Sequence, residues 1–272
     1  MNTSRHSRCR LGVVSYLNAL PLIEGLDAEP GCALRPAVPS ALLSLLLSDD
    51  VDAALLPIVD LYRGPIRLRI ISDGCIACDG ETMTVRVFSK APPDRVTRLQ
   101  ADTDSHTSIV LARLVWRELY GRALEVRPRN APNESFAPER DAVLLIGDKV
   151  VTDRPRGFGF EVDLGAAWKH LTGLPMVFAV WAVRDNRLDA EETERIALML
   201  SSARERGIAR ASTIAEREGP RHGWPVELAR HYLTRALCYT LDERMQSAMK
   251  RFASMASEAG LIEPAGLAAP NA

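Results

Sequence analysis

The stretch from residue 11 to residue 57 constrains this chain more than any other. Residues 11–15 (LGVVS) are an apolar run of strand length. Pro39 and Ser40 then open a segment carrying Leu42, Leu43, Leu45, Leu46 and Leu47, and residues 51–56 return to an apolar run that Pro57 ends. Proline belongs in the first turn of a helix, where its missing N–H costs nothing, and a short apolar run bounded by Asp49-Asp50 and Pro57 fits a buried strand. Strand, helix, strand in that order joins parallel strands through a crossover, which places the chain in the α/β class. In such a sheet the strand ends that carry ligands all open on one crevice.

The rest of the sequence extends the alternation. Residues 68–71 and 82–88 read as strands, the second alternating Met83, Val85 and Val87 with Thr82, Thr84 and Arg86. Ala91-Pro92-Pro93 looks like a connector. Residues 107–120 predict a helix with Leu111, Leu114, Val115 and Leu119 on one face, residues 142–146 a strand closed by Gly147-Asp148, and Asp163 the cap of a helix that Gly173 stops. Residues 176–183 are a near-continuous apolar run, expected as a strand returning to the first lobe. The remainder is helical: Asp189 opens a helix with Ile196, Leu198, Met199 and Leu200, and Asp242 caps another with Met245, Met249, Phe252 and Met255 spaced for one buried face. The expected layout has two α/β lobes. Residues 1–88 with 184–272 form the first and residues 92–178 the second, with crossovers near 89–91 and 179–183 and a ligand cleft between them. The alanine and proline tail, residues 264–272, is expected to fray.

Composition narrows the partners. The 34 basic and 35 acidic residues give a formal charge of −1 and are interspersed, so no net field attracts nucleic acid or an anionic membrane. An anionic ligand must be caught locally. Five cysteines at irregular spacing argue against a disulfide framework, and Cys75 and Cys78, though a CxxC pair, have no second pair to complete a zinc site. Arg5, Arg8 and Arg10 precede an apolar stretch as in an export signal. That stretch, however, contains Tyr16, Asn18 and Pro21 and lacks a small-residue cleavage site. No apolar run approaches the ~20 residues of a membrane span. A cytoplasmic protein is expected, with self-association into a homodimer left open.

Four segments carry residues suited to ligand chemistry. Residues 15–21 (SYLNALP) put Ser15, Asn18 and the amide of Ala19 at a helix start, where exposed N–H groups favour anions; an ordinary capping turn would look the same. Thr82 and Thr84 offer two hydroxyls on one strand face. Residues 105–108 (SHTS) open a helix with Ser105, Thr107 and Ser108 around His106, which suits either a carboxylate cradle or a simple cap. Residues 144–148 (LLIGD) end a strand at Gly147, which permits close backbone approach, and Asp148, which orients a substrate hydroxyl or caps the next turn. The five histidines are scattered, no GxSxG accompanies them, and there is no Walker loop, GxGxxG or metal-ligand spacing. No metal and no cofactor are expected.

Taken in order, these segments resemble the chorismate dehydratase family of the futalosine route to menaquinone. The resemblance covers roughly residues 11–184 through SYLNALP, VDAALLP, SDGCI, SHTS, DAVLLIGD, VDLGAAW and TGLPMVFAVWAVR, with a weaker echo at Tyr232-Leu233 and residues 239–242. It implies a two-lobed fold like that of type II periplasmic binding proteins, with chorismate as a small-molecule substrate and no cofactor. It also implies loss of water from chorismate to give 3-[(1-carboxyvinyl)oxy]benzoate, the ring becoming aromatic as the C4 hydroxyl and C3 proton depart. Asn18 matches the family's active-site asparagine. Thr84 stands where a serine is expected, keeping the hydroxyl but adding a methyl that restricts its rotamer.

On this view SHTS and the Asn18-Ala19 amides hold the two carboxylates, while Asn18 and Thr84 bond the departing hydroxyl. The proton acceptor is His106 or the substrate's own side-chain carboxylate. The chief alternative is a solute-binding protein that uses the same clamshell without turnover. A related enzyme acting later in the same route opens on a different motif.

Overall fold

The computed structural model describes residues 9–63, 66–129 and 136–262. Arg5, Arg8 and the tail at residues 264–272 lie outside them. The strands are β1 (Cys9–Val14), β2 (Cys32–Ala37), β3 (Ala53–Pro57), β4 (Leu68–Cys78), β5 (Val85–Ser89), β6 (Arg98–Ala101), β7 (Glu125–Pro128), β8 (Asp141–Ile146), β9 (Phe160–Asp163), β10 (Met176–Arg184) and β11 (Cys238–Thr240). The α-helices are α1 (Leu20–Ile23), α2 (Pro39–Leu47), α3 (His106–Tyr120), α4 (Lys149–Thr152), α5 (Leu164–Thr172), α6 (Ala190–Ala209), α7 (Ala211–Glu218), α8 (Val226–His231) and α9 (Glu243–Glu258).

Two sheets organise the chain. The first has the order β11-β4-β10-β3-β1-β2 and the second β7-β6-β8-β5-β9. As the strand-helix-strand pattern requires, β1 and β3 are parallel neighbours, as are β1 and β2. β10 runs antiparallel between β3 and β4, which explains its unbroken apolar run: it is covered on both faces. In the second sheet β8 is buried at every position. Val87, Ala142 and Leu144 face the main core, and Phe88, Val143 and Leu145 face a smaller one, the two-residue period dividing them.

The chain leaves the first sheet between Cys78 and Val85 and returns between Asp163 and Met176. Both passages come earlier than residues 89–91 and 179–183. The strand expected over 82–88 begins only at Val85, between β8 and β9. The cause is Asp163, whose carboxylate accepts the amides of Thr82 (3.0 Å) and Met83 (2.9 Å) while Met83 adopts a left-handed φ of 64°. That turn swings the chain into the second sheet, and alternation alone says nothing about which sheet a strand joins.

The C-terminal helices return to the first lobe. α6 packs on α1 so closely that a Cβ at Gly207 would lie 1.8 Å from the Pro21 carbonyl oxygen. Ile196 and Leu200 are buried on this helix, whereas Leu198 is 63% exposed because it falls on the opposite face. α9 buries Met245, Met249, Phe252 and Met255, and Phe252 meets Trp168 of α5 edge-on at 5.9 Å. Cys75 and Cys78 are interior residues of β4 whose thiols burial pushes well above their ordinary pKa; they fill space as small apolar groups. Among the described residues no helix is long and apolar enough to cross a membrane, and no three His, Cys, Asp or Glu side chains gather as metal ligands.

Candidate functional site

A cleft of about 500 Å³, its open mouth included, lies where the two sheets meet. Of the residues singled out in the sequence, Asn18, Thr82, Thr84, Ser105, Ser108 and Gly147 line it. Ser15, Ala19, His106, Thr107 and Asp148 do not.

The first wall comes from the turn after β1. Its residues form a tight 3-10 turn, Leu17–Ala19, in which the Ala19 amide donates to the Tyr16 carbonyl at 3.1 Å. The Leu17 amide is taken by Asp148, at 3.2 and 3.3 Å to its two oxygens. Ser15 is exposed, and its amide donates to Ala37. The carboxylate cradle expected of this turn is therefore largely spent on the protein's own acceptors, and Asn18 is the residue it presents to the cleft. The Asn18 Oδ1 is buried and has no partner among the described residues, a deficit of about 1–3 kcal/mol that a ligand donor would relieve.

Thr82 and Thr84 arrive on the Asp163-bound turn, not on a sheet face. Arg86, expected beside them, pairs instead with Glu81, Glu161 and Asp163. The Thr84 Oγ1 lies 2.6 Å from the hydroxyl of Tyr232, which is almost wholly buried. Tyr232 begins a single π-helical turn, Tyr232–Ala236, and its ring stacks on Trp224 with centroids 4.9 Å apart and planes 13° from parallel. Burial pushes its phenol well above the ordinary pKa, while Thr84 and Asn18 beside it pull the other way. Tyr16 and Tyr232 were missed in the sequence as site residues. The available signal was the echo at Tyr232-Leu233 and the place of Tyr16 inside SYLNALP.

At the start of α3 SHTS takes up the capping role. Ser105 is the N-cap, accepting the Ser108 amide at 3.2 Å, and its hydroxyl also meets that of Ser108 at 2.8 Å. One turn of helix puts residues three apart on the same side, so Ser105 and Ser108 face the cleft and the two between them turn away. His106 places Nδ1 2.8 Å from Oδ1 of Asp60, a wholly buried carboxylate of the first lobe. Thr107 accepts from the Val59 amide and donates to the Phe178 carbonyl, both at 3.4 Å. These two residues fasten the lobes together behind the cleft. The remaining first-turn N–H groups and dipole of α3 stay available at the cleft edge.

Gly147 and Asp148 close the opposite side. Gly147 has φ +61°, and a Cβ there would stand 2.7 Å from the Tyr16 ring. Tyr16 lies over it and donates to Asp104 Oδ2 at 3.0 Å, where Lys149 bridges Asp104 and Asp102. Gly147→Ala should cost about 1–3 kcal/mol from backbone strain and displacement of Tyr16. An unchanged urea midpoint would contradict this packing. Asp148, expected to touch ligand or cap the next turn, makes no cap bond to α4. Its carboxylate accepts from His222 Nδ1 at 2.7 Å, Trp224 Nε1 at 3.0 Å and the Leu17 amide. It thus clasps the second lobe to two segments of the first.

No side chain lining the cleft carries a charge. What it offers is hydroxyls, a carboxamide, a helix N-terminus and apolar walls, which suits an anion bound by neutral donors in a low-dielectric space.

Known proteins agree with this picture. A family model described as menaquinone biosynthesis matches residues 9–258. A chorismate dehydratase of Thermus thermophilus is 32% identical over 259 residues, covering 89% of this chain and 93% of that protein. Among solved structures, AF1704 of Archaeoglobus fulgidus superposes with TM-score 0.74 at 17% identity, over 95% of this chain and 100% of that one. The periplasmic aliphatic sulphonate binding protein SsuA of Escherichia coli gives 0.62 at 13% identity, over 97% and 94%. The two-lobed architecture is that of the periplasmic-binding-protein fold.

Proposed function

The chain belongs to the menaquinone-biosynthesis family, and from that premise we propose that it is a chorismate dehydratase, a lyase that removes water from chorismate to give 3-[(1-carboxyvinyl)oxy]benzoate. The observation that carries this reading is a cleft holding Asn18, Thr84, Ser105 and Ser108 together, with no ionisable acid or base among its lining side chains apart from the phenols of Tyr16 and Tyr232. Such a site cannot do strong acid-base work by itself. It suits a reaction whose driving force resides in the substrate, because aromatisation favours the product.

In this mechanism the α3 N-terminus with Ser105 and Ser108 holds a carboxylate, and Asn18 and Thr84 bond the departing hydroxyl. His106 was one candidate for the proton acceptor. Its Nδ1 is engaged by Asp60 and it lies outside the cleft, so the reading assigns the C3 proton to the substrate's own side-chain carboxylate. The C–H pair becomes the new ring double bond as the C–O bond breaks, and proton and hydroxide leave together as water.

The test is direct. Metal-stripped protein incubated with chorismate should yield the enolpyruvyl benzoate, followed by mass and ultraviolet absorbance. Chorismate binding without conversion would instead support the solute-binding alternative.

A further inference from the structure

We propose that Tyr232 is a positioning residue for this dehydration, turning the Thr84 hydroxyl so that its hydrogen faces the oxygen that departs. The inference rests on the chorismate reading of the cleft. It starts from the polarity of the Thr84–Tyr232 hydrogen bond. Among the described residues the buried Tyr232 phenol has Thr84 Oγ1 as its hydrogen-bond partner, and the Oδ1 of Asn18, which lines the same cleft, accepts from no protein group. The phenol therefore does not donate to Asn18. A phenol has a single hydrogen. With no other acceptor for it among the described residues, that hydrogen goes to Thr84 Oγ1 at 2.6 Å.

Thr84 is then left with its own hydrogen to give. Its one acceptor among the described residues, the Thr82 carbonyl, lies at 3.5 Å, the outer limit of a hydrogen bond. A ligand oxygen in the cleft is the better acceptor, and the need for a donor there grows as the C–O bond breaks and its electron pair moves onto oxygen. Were the Thr84–Tyr232 bond reversed, Thr84 could only accept, and the departing oxygen would lose this donor. No proton leaves Tyr232 in the cycle. It fixes a direction.

The fold holds the phenol for this task. Its ring is stacked on Trp224, whose Nε1 is tied to Asp148 across the lobe boundary. The π-turn that Tyr232 opens is a form that recurs at functional sites. The Asp148 clasp that joins the lobes thus also seats the aromatic pair.

Tyr232→Phe deletes the hydroxyl and keeps the ring. On chorismate its kcat should fall about 10- to 100-fold with KM within about two-fold. 3,5-Difluorotyrosine at position 232 restores a hydroxyl of greater acidity, and its kcat should exceed that of the phenylalanine variant, following donor strength. Wild-type kcat in Tyr232→Phe, or a difluorotyrosine protein no faster than it, would overturn the inference while leaving the chorismate reading intact. Absence of turnover in the wild type would sink both. If Tyr232→Phe fails to fold, the difluorotyrosine and wild-type proteins are compared directly, and identical kcat values overturn the inference.

Discussion

Asn18→Ala is expected to lower chorismate turnover about 10²- to 10³-fold, the loss typical of one preorganised hydrogen-bonding group at the reacting centre. The fold should survive the change. Asn18 lies in a short 3-10 turn held by backbone bonds that the substitution leaves alone, from Ala19 to Tyr16 and from Leu17 to Asp148. No group among the described residues meets its Oδ1, and removing an unpaired buried oxygen costs little or helps. The Tyr232 hydroxyl keeps Thr84 as a partner. Kinetics and thermal unfolding should therefore separate cleanly, with kcat collapsing while the melting temperature changes by a degree or two at most. Near-wild-type turnover would remove Asn18 from the mechanism. A matching collapse of stability would make the residue structural.

How much of this could be read beforehand depends on what kind of information a residue carries. The parallel β1-α2-β3 unit was legible because Pro39, the leucine spacing and Pro57 each enforce local geometry. Asn18, Thr84 and Ser105 were legible as a group through resemblance, and the fold puts them in one cleft. The route of the chain between sheets was not legible. It is decided by Asp163 reaching back 80 residues to the Met83 amide, a contact with no local signature. The same limit hid the fates of His106 and Asp148. Each sits in a motif that suits ligand binding, yet a partner distant in sequence claims it: Asp60 in one case, His222 and Trp224 in the other. Tyr232 was legible only as part of a weak echo and not as a site residue, because a lone tyrosine after a short helix has no pattern. Only the packing of α8 and its π-turn brings that hydroxyl to Thr84.

Asp148→Ala is expected to loosen the closed form, raising KM and lowering kcat together, because it strips the acceptor from three donors at once. A buried donor left unpaired costs about 1–3 kcal/mol, and the Leu17 amide, His222 Nδ1 and Trp224 Nε1 all lose their partner. The protein can relieve that cost by parting the lobes and letting water reach these groups, so the penalty falls on closure more than on folding. Small-angle scattering with saturating chorismate should show a larger radius of gyration for this variant than for wild type. Closure should also follow pH in a defined direction. The Asp148 hydrogen bond, opposed by desolvation and aided by the charges of Asp148 and Glu218, raises the His222 pKa above its ordinary 6.5 in the closed form. A raised value means that the charged imidazolium favours the clasp, fully so below about pH 6.5, and that this contribution fades as pH climbs through the raised value. His222→Gln keeps a side chain that can donate to Asp148 but cannot titrate. In that variant the rise of KM over this interval should flatten, and an unaltered pH profile would mean that the His222–Asp148 pair does not govern closure.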